Sequence, residues 1–112
     1  MKTDPVEAQL LAYNTRDIDA FLACYTADCR AEDGEGHLLF AGHAEMRERY
    51  GAMFAASPDL HARIVNRTHI GRYVLDEEEI TGRVPELRRA LAIYRLTPDG
   101  GLIEHVRFLR DE

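Results

Sequence analysis

The chain has 112 residues, the size of one domain, so a single unit over residues 1–112 is expected. Hydrophobic residues make up 46% and charged residues 30%, a balance that supports one packed core and argues against long disorder. The formal charge of −6 speaks against a nucleic-acid partner, because neutralising phosphate takes clustered, uncompensated Lys and Arg, and no apolar run reaches the ~20 residues of a bilayer span.

The first element reads as a helix. Asp4 can cap it, Pro5 suits its first position, and Glu7 lies three residues on as in a capping box. Val6, Leu10 and Tyr13 share one face. After Asn14-Thr15-Arg16, Asp17 starts a second helix, whose stripe Ile18, Phe21, Leu22, Tyr25 follows helical spacing. Cys29 to Asp33 alternates as a half-buried strand, turns at Gly34-Glu35-Gly36 and returns through His37–Ala41 as a hairpin. A third helix runs from His43 to about Ala56, with Met46, Tyr50, Met53 and Phe54 on one side, and stops at Ser57-Pro58-Asp59.

Strands occupy the remainder. Residues 60–70 place Leu60, Ala62, Ile64 and Asn66 against His61, Arg63, Val65 and Arg67. Past a turn at Gly71-Arg72, Tyr73 to Thr81 sets Val74, Asp76, Glu78 and Ile80 against Tyr73, Leu75, Glu77 and Glu79. Residues 86–97 form another strand, with Ala90, Ala92, Tyr94 and Leu96 on one face; Pro98-Asp99-Gly100-Gly101 turns into a last strand to Arg110. Helices followed by a run of antiparallel strands make an α+β fold. Three helices cover a long twisted sheet only partly, leaving a cone open at one end.

The stretches Ala12-Tyr13-Asn14-Thr15-Arg16-Asp17-Ile18-Asp19-Ala20-Phe21, Tyr25-Thr26-Ala27-Asp28 and Ala31-Glu32-Asp33 resemble the start of NTF2-like domains. Gly42 before the third helix, Tyr94 in the penultimate strand and Gly100-Gly101-Leu102-Ile103 extend the likeness over the whole chain, which is most similar to the SnoaL-like group, relatives of ketosteroid isomerase and polyketide cyclases. The resemblance implies an NTF2-like cone, a curved antiparallel mixed sheet wrapped by three N-terminal helices. It also implies a deep pocket and homodimers formed through the outer face of the sheet. Isomerases, cyclases, dehydratases and non-catalytic binders share that fold, so fold alone does not select among them.

Asp33 is the first candidate for chemistry. It shares strand parity with Cys29 and Ala31, which would point it inward, desolvate it and raise its pKa toward that of a useful base. It fits equally the polar turn before Gly34. By resemblance it stands where isomerase relatives keep their proton-shuttling Asp. Their enolate-oxygen donors, a Tyr on the first helix and an Asp on the penultimate strand, fall near Gln9 and Ala92. Ala92 cannot donate, so the resemblance does not extend to steroid isomerisation by that route.

Glu78 is the second candidate, because its parity partners Val74 and Ile80 are apolar and with Asp33 it could make an acid–base pair. The acidic run Asp76-Glu77-Glu78-Glu79 also fits a solvated edge, the reading favoured here. Tyr13, Tyr50 and Tyr94 fall on buried faces and can bind a ligand carbonyl or hydroxyl, or serve as core residues with one satisfied tip. Asn66 shares a face with Ala62 and Ile64 and is expected to line the pocket.

The five histidines show no HxH or HExxH spacing and the cysteines no zinc pattern, so no metal is expected. Neither a P-loop nor a GxGxxG occurs, so no cofactor is expected. The opening Met1-Lys2-Thr3-Asp4-Pro5 lacks the apolar stretch of a secretory signal. A soluble cytoplasmic protein with Cys24 and Cys29 as free thiols is expected. Leu87, Leu91, Ile93, Ile103 and Leu109 lie opposite Ala92 and Tyr94, an apolar outer face suited to a dimer.

Two functions are therefore in contention. One is a small-molecule pocket with cofactor-free acid–base chemistry (isomerase, cyclase or dehydratase-like) on an apolar or carbonyl-bearing substrate. The other is a non-catalytic ligand-binding or dimeric scaffold protein. A protein–protein module resembling nuclear transport factors is a third option, for which an exposed apolar patch is expected.

Overall fold

Asp4 caps the first helix as expected: one carboxylate oxygen accepts from the Val6 N–H at 3.0 Å and the Glu7 N–H at 3.3 Å. A computed structural model describes residues 4–110; residues 1–3 and 111–112 lie outside the described part. Helix α1 spans Pro5–Thr15 and α2 spans Ile18–Leu22, started by Asp17. Strand β1 (Tyr25–Asp33) and strand β2 (Leu38–Ala41) make a hairpin, and helix α3 (Gly42–Ala56) follows. Then come β3 (His61–Ile70), β4 (Tyr73–Thr81), β5 (Arg89–Leu96) and β6 (Ile103–Arg110). No helix among the described residues is long and apolar enough to cross a membrane.

One six-stranded sheet runs in the order β2-β1-β6-β5-β4-β3, with β1 and β6 parallel and every other pair antiparallel. Helix α1 packs on β3 and α3 on β1 and β2, while α2 joins the two helices. This is the expected α+β cone of three helices on a curved mixed sheet. Phe21 sits at its centre, with ring centroids of Tyr50 at 4.6 Å, Tyr25 at 5.0 Å and Phe54 at 5.8 Å. Tilted and edge-on pairs of this kind add about 1 kcal/mol each beyond the area they bury.

Three local expectations are corrected. Tyr25 leaves the second helix and opens β1, because the chain there pairs with Ile103 of β6. Second, β3 carries an extra residue: Ile64 pairs with Glu78 but Asn66 pairs with Glu77, so Val65 is a bulge. Strand alternation flips past a bulge. Asn66 is therefore exposed and Arg67 turns inward. Third, Leu87 and Ile103 are buried in the core and do not belong to the outer face. Leu87 precedes β5, and Glu104 is an extra residue between the paired Ile103 and His105, which reverses the parity of β6. Leu91, Ile93 and the 44%-exposed Leu109 remain outside.

Candidate functional site

Strand β4 builds the site. Its inner face carries Val74, Asp76, Glu78 and Ile80, all buried. Asp76 has no exposed surface at all. It is matched by Arg67, whose Nε and Nη2 donate to the two carboxylate oxygens at 2.6 and 2.8 Å. Arg67 also bonds Glu7 of α1, so one guanidinium ties β3, β4 and the first helix together. The Asp76 hydrogen bond, ahead of that of Glu7, holds Arg67 firmly protonated. Two-pronged pairs of this kind are strong and orientationally specific.

Glu78 stands two residues along the same face and is 9% exposed. Among the described residues no hydrogen bond or ion pair reaches its carboxyl. Burial first, and the neighbouring Asp76 charge second, push its pKa up to about 7; Arg110 and Arg67 pull the other way. Near neutral pH this group both holds and releases a proton. The acidic run is therefore not a solvated edge at Glu78, which is buried. Glu77 and Glu79 do face outward, where Arg89 and Arg63 meet them.

A cavity of about 50 Å³ adjoins Glu78, lined by Gln9 and Tyr13 of α1, Phe21 of α2, Tyr50 and Met53 of α3, and Tyr94 of β5. It has room for a few water molecules. Burial raises all three tyrosines: Tyr13 to about 12, Tyr50 and Tyr94 further, each also repelled by the Glu78 charge. They are therefore hydroxyl donors at any physiological pH. Gln9 is buried with its amide N–H on the Val6 carbonyl at 3.0 Å, and its oxygen accepts from the Tyr25 hydroxyl at 3.4 Å. Tyr13, Tyr50, Tyr94, Gln9 and Glu78 are thus brought to one place. Ala92, wholly buried, contributes no polar group.

Asp33 and Asn66 are not there. Asp33 keeps the inward parity of β1, yet β1 has run past its helical cover, and the side chain is 39% exposed. Its Oδ1 accepts from the Glu35 and His37 backbone N–H groups, both at 2.9 Å, closing the hairpin turn, while Oδ2 lies 3.2 Å from His37 Nδ1. Those donors, the His37 N–H foremost, hold its carboxyl below the usual carboxylate range. It borders an open surface groove of about 610 Å³. The expected sheltered base is therefore a hydrated turn residue. Asn66 is carried to the surface by the Val65 bulge.

Several site residues escaped sequence reasoning. Simple alternation along β3 puts Arg67 on the wrong face, and only the strand pairing reveals the bulge. Arg83 lies in the β4–β5 loop, pinned by the Val84 N–H donating to Ser57 Oγ at 2.8 Å. Arg110 and Phe108 come from the end of β6. Nothing in their local patterning marks them.

The geometry agrees with comparisons to known proteins. Residues 6–106 match the family model described as the SnoaL-like domain. An uncharacterised cystatin-fold protein from Novosphingobium aromaticivorans superposes with a TM-score of 0.84 at 27% identity over 95% of each chain. A proposed polyketide cyclase from Sinorhizobium meliloti gives 0.78 at 21% identity, over 95% of this chain and 94% of that one. For a proposed ketosteroid isomerase from Kribbella flavida the score is 0.78 at 16% identity, over 96% of this chain and 76% of that one. The last two establish fold alone. No protein of curated function matches the sequence significantly.

Proposed function

The chain belongs to the SnoaL-like domain family, and from that premise we propose that it is a cytoplasmic small-molecule pocket protein performing cofactor-free acid–base chemistry, with Glu78 as the proton-transferring group. The observation that carries this reading is the Glu78 carboxyl, buried beside a cavity, with no protein partner among the described residues and a pKa near 7. An acid at that value matches the operating pH, the condition under which proton transfer is most efficient. In such a reaction the carboxylate takes a proton from the carbon beside a carbonyl. A hydroxyl of Tyr13, Tyr50 or Tyr94 hydrogen-bonds the developing enolate oxygen, and the proton returns from Glu78 to carbon. No electrons are transferred, so no redox cofactor is required.

The test uses cyclohexanone in deuterated buffer. The wild-type chain is expected to speed exchange of the protons beside the carbonyl, with a midpoint near pH 7, and Glu78→Gln to abolish the acceleration. Equal exchange by both proteins would sink the reading.

A second reading, a non-catalytic binding or dimeric scaffold protein, draws on the size of the cavity: about 50 Å³ is far below the few hundred Å³ of a typical ligand site. Dimerisation is compatible with either reading. The outer face presents Leu91, Ile93 and Leu109 beside the Glu32–His105 contact at 2.8 Å, and a partner sheet would cover them.

A further inference from the structure

A second cavity, of about 80 Å³, lies against the first and shares Tyr50, Met53, Arg83 and Arg110 with it. The two cavities adjoin at those four residues. The outer chamber adds Leu39, Phe40 and Arg49, so arginines from α3, the β4–β5 loop and the end of β6 converge on it. Among the described residues that line it, none is acidic. That is against composition, since the chain has 20 acidic residues to 14 basic ones. Each arginine is positioned by the fold: Arg49 lies 5.7 Å over the Phe40 ring, Arg83 donates to the Pro85 carbonyl at 2.8 Å, and Arg110 lies 5.2 Å over the Phe108 ring. Taken as one path, the two cavities give a cationic mouth, an apolar throat at Tyr50 and Met53, and a carboxyl with tyrosine hydroxyls at the inner end.

From this arrangement we infer that the pocket takes a small organic carboxylate whose apolar body bears a carbonyl or hydroxyl at the opposite end. The carboxylate rests on the arginines at the mouth and the neutral oxygen reaches toward Glu78. This rests on the acid–base reading of the same site. A guanidinium presents paired donors that match a carboxylate. Placing the ligand's charge at the mouth keeps it in the wetter region and away from Glu78, where a second buried anion would be costly. Phosphate would satisfy the arginines but gains nothing from Tyr50, Met53 and Phe40. Met53 is the movable part of the throat, since an unbranched thioether changes shape readily.

The test is an amide-resolved NMR titration of the full chain with three probes: 4-oxopentanoate, its neutral methyl ester and inorganic phosphate. The keto acid is expected to shift Tyr50, Met53 and Arg83 and to bind about tenfold more tightly than the ester. Arg83→Gln and, separately, Arg49→Gln should bring acid and ester affinity together. Equal affinity for acid and ester, equal affinity for phosphate at the same amides, or no shift of these amides by any probe overturns the inference. Exchange of neutral cyclohexanone does not involve the arginine contact. Activity lost in Glu78→Gln together with equal acid and ester binding therefore refutes the ligand class alone. Keto-acid binding without Glu78-dependent exchange refutes the acid–base reading alone.

Discussion

Asp76 and Glu78 point from one face of β4 into the same interior, and only Asp76 is met by a guanidinium, that of Arg67 at 2.6 and 2.8 Å. Two carboxyls of one strand are thus given different tasks by their surroundings. The paired one is structural. The other is left to hold a proton, and its neighbour's charge helps it do so.

Replacing Glu78 by Gln should change the dependence of stability on pH. The native carboxyl keeps its proton up to about pH 7, whereas an ordinary glutamate releases it near 4.5. Between those values the native state binds more protons than the unfolded chain, so this group's contribution to stability falls as pH rises through the window, by about 3 kcal/mol in all. Glutamine has no such dependence. Urea titrations should find Glu78→Gln close to wild type at pH 4 and about 3 kcal/mol more stable at pH 8. A difference that does not vary with pH would refute the buried proton.

Asp76→Asn removes the anion that raises Glu78 and leaves Arg67 without its main partner. Side-chain carboxyl NMR should show the Glu78 midpoint moving down. Denaturation should show a loss of about 3 kcal/mol, typical of breaking a buried pair from one side. An unmoved Glu78 midpoint would mean that desolvation acts alone.

Asp33→Asn should leave both the Glu78 midpoint and cyclohexanone exchange as in wild type. Asparagine retains the oxygen that accepts from the Glu35 and His37 N–H groups, so the turn survives. Exchange lost to the extent seen with Glu78→Gln would restore Asp33 as the base.

Gly82→Ala should be costly. Gly82 has φ of +72°, and an added Cβ would stand 2.2 Å from the Asp59 carbonyl oxygen, a backbone atom with little freedom to yield. A loss of about 3 kcal/mol in urea is expected. Because Gly82 precedes Arg83, keto-acid affinity should fall as well. A variant with wild-type stability would show that this loop relaxes freely.

Ile93→Glu places a charge on the outer face of β5. Sedimentation velocity at micromolar concentration should show a wild-type dimer and a monomeric variant. A wild-type monomer would remove the dimer from both functional readings.

Much of the architecture was legible because its signals are local. Asp4-Pro5 and Asp17 announce helix starts through groups within three residues, and Pro98–Gly101 encodes its turn. The match to NTF2-like domains rests on such stretches. The tyrosines were found through helical or strand spacing, which brings residues to a shared face. Glu78 was visible as a candidate for the same reason, but its apolar parity partners competed with the acidic run around it.

The sequence by itself determined the order of elements, the α+β class and which residues of β4 share a face, since each follows from hydrogen bonding and side-chain alternation along a few residues. Tertiary structure alone decided which carboxyl is sheltered. Desolvation depends on whether a helix happens to overlie that stretch of sheet, and it covers Glu78 but not Asp33. It likewise placed Arg67 inside and Asn66 outside, because the extra residue at Val65 exists only as a mismatch with β4 and has no mark on β3 read alone.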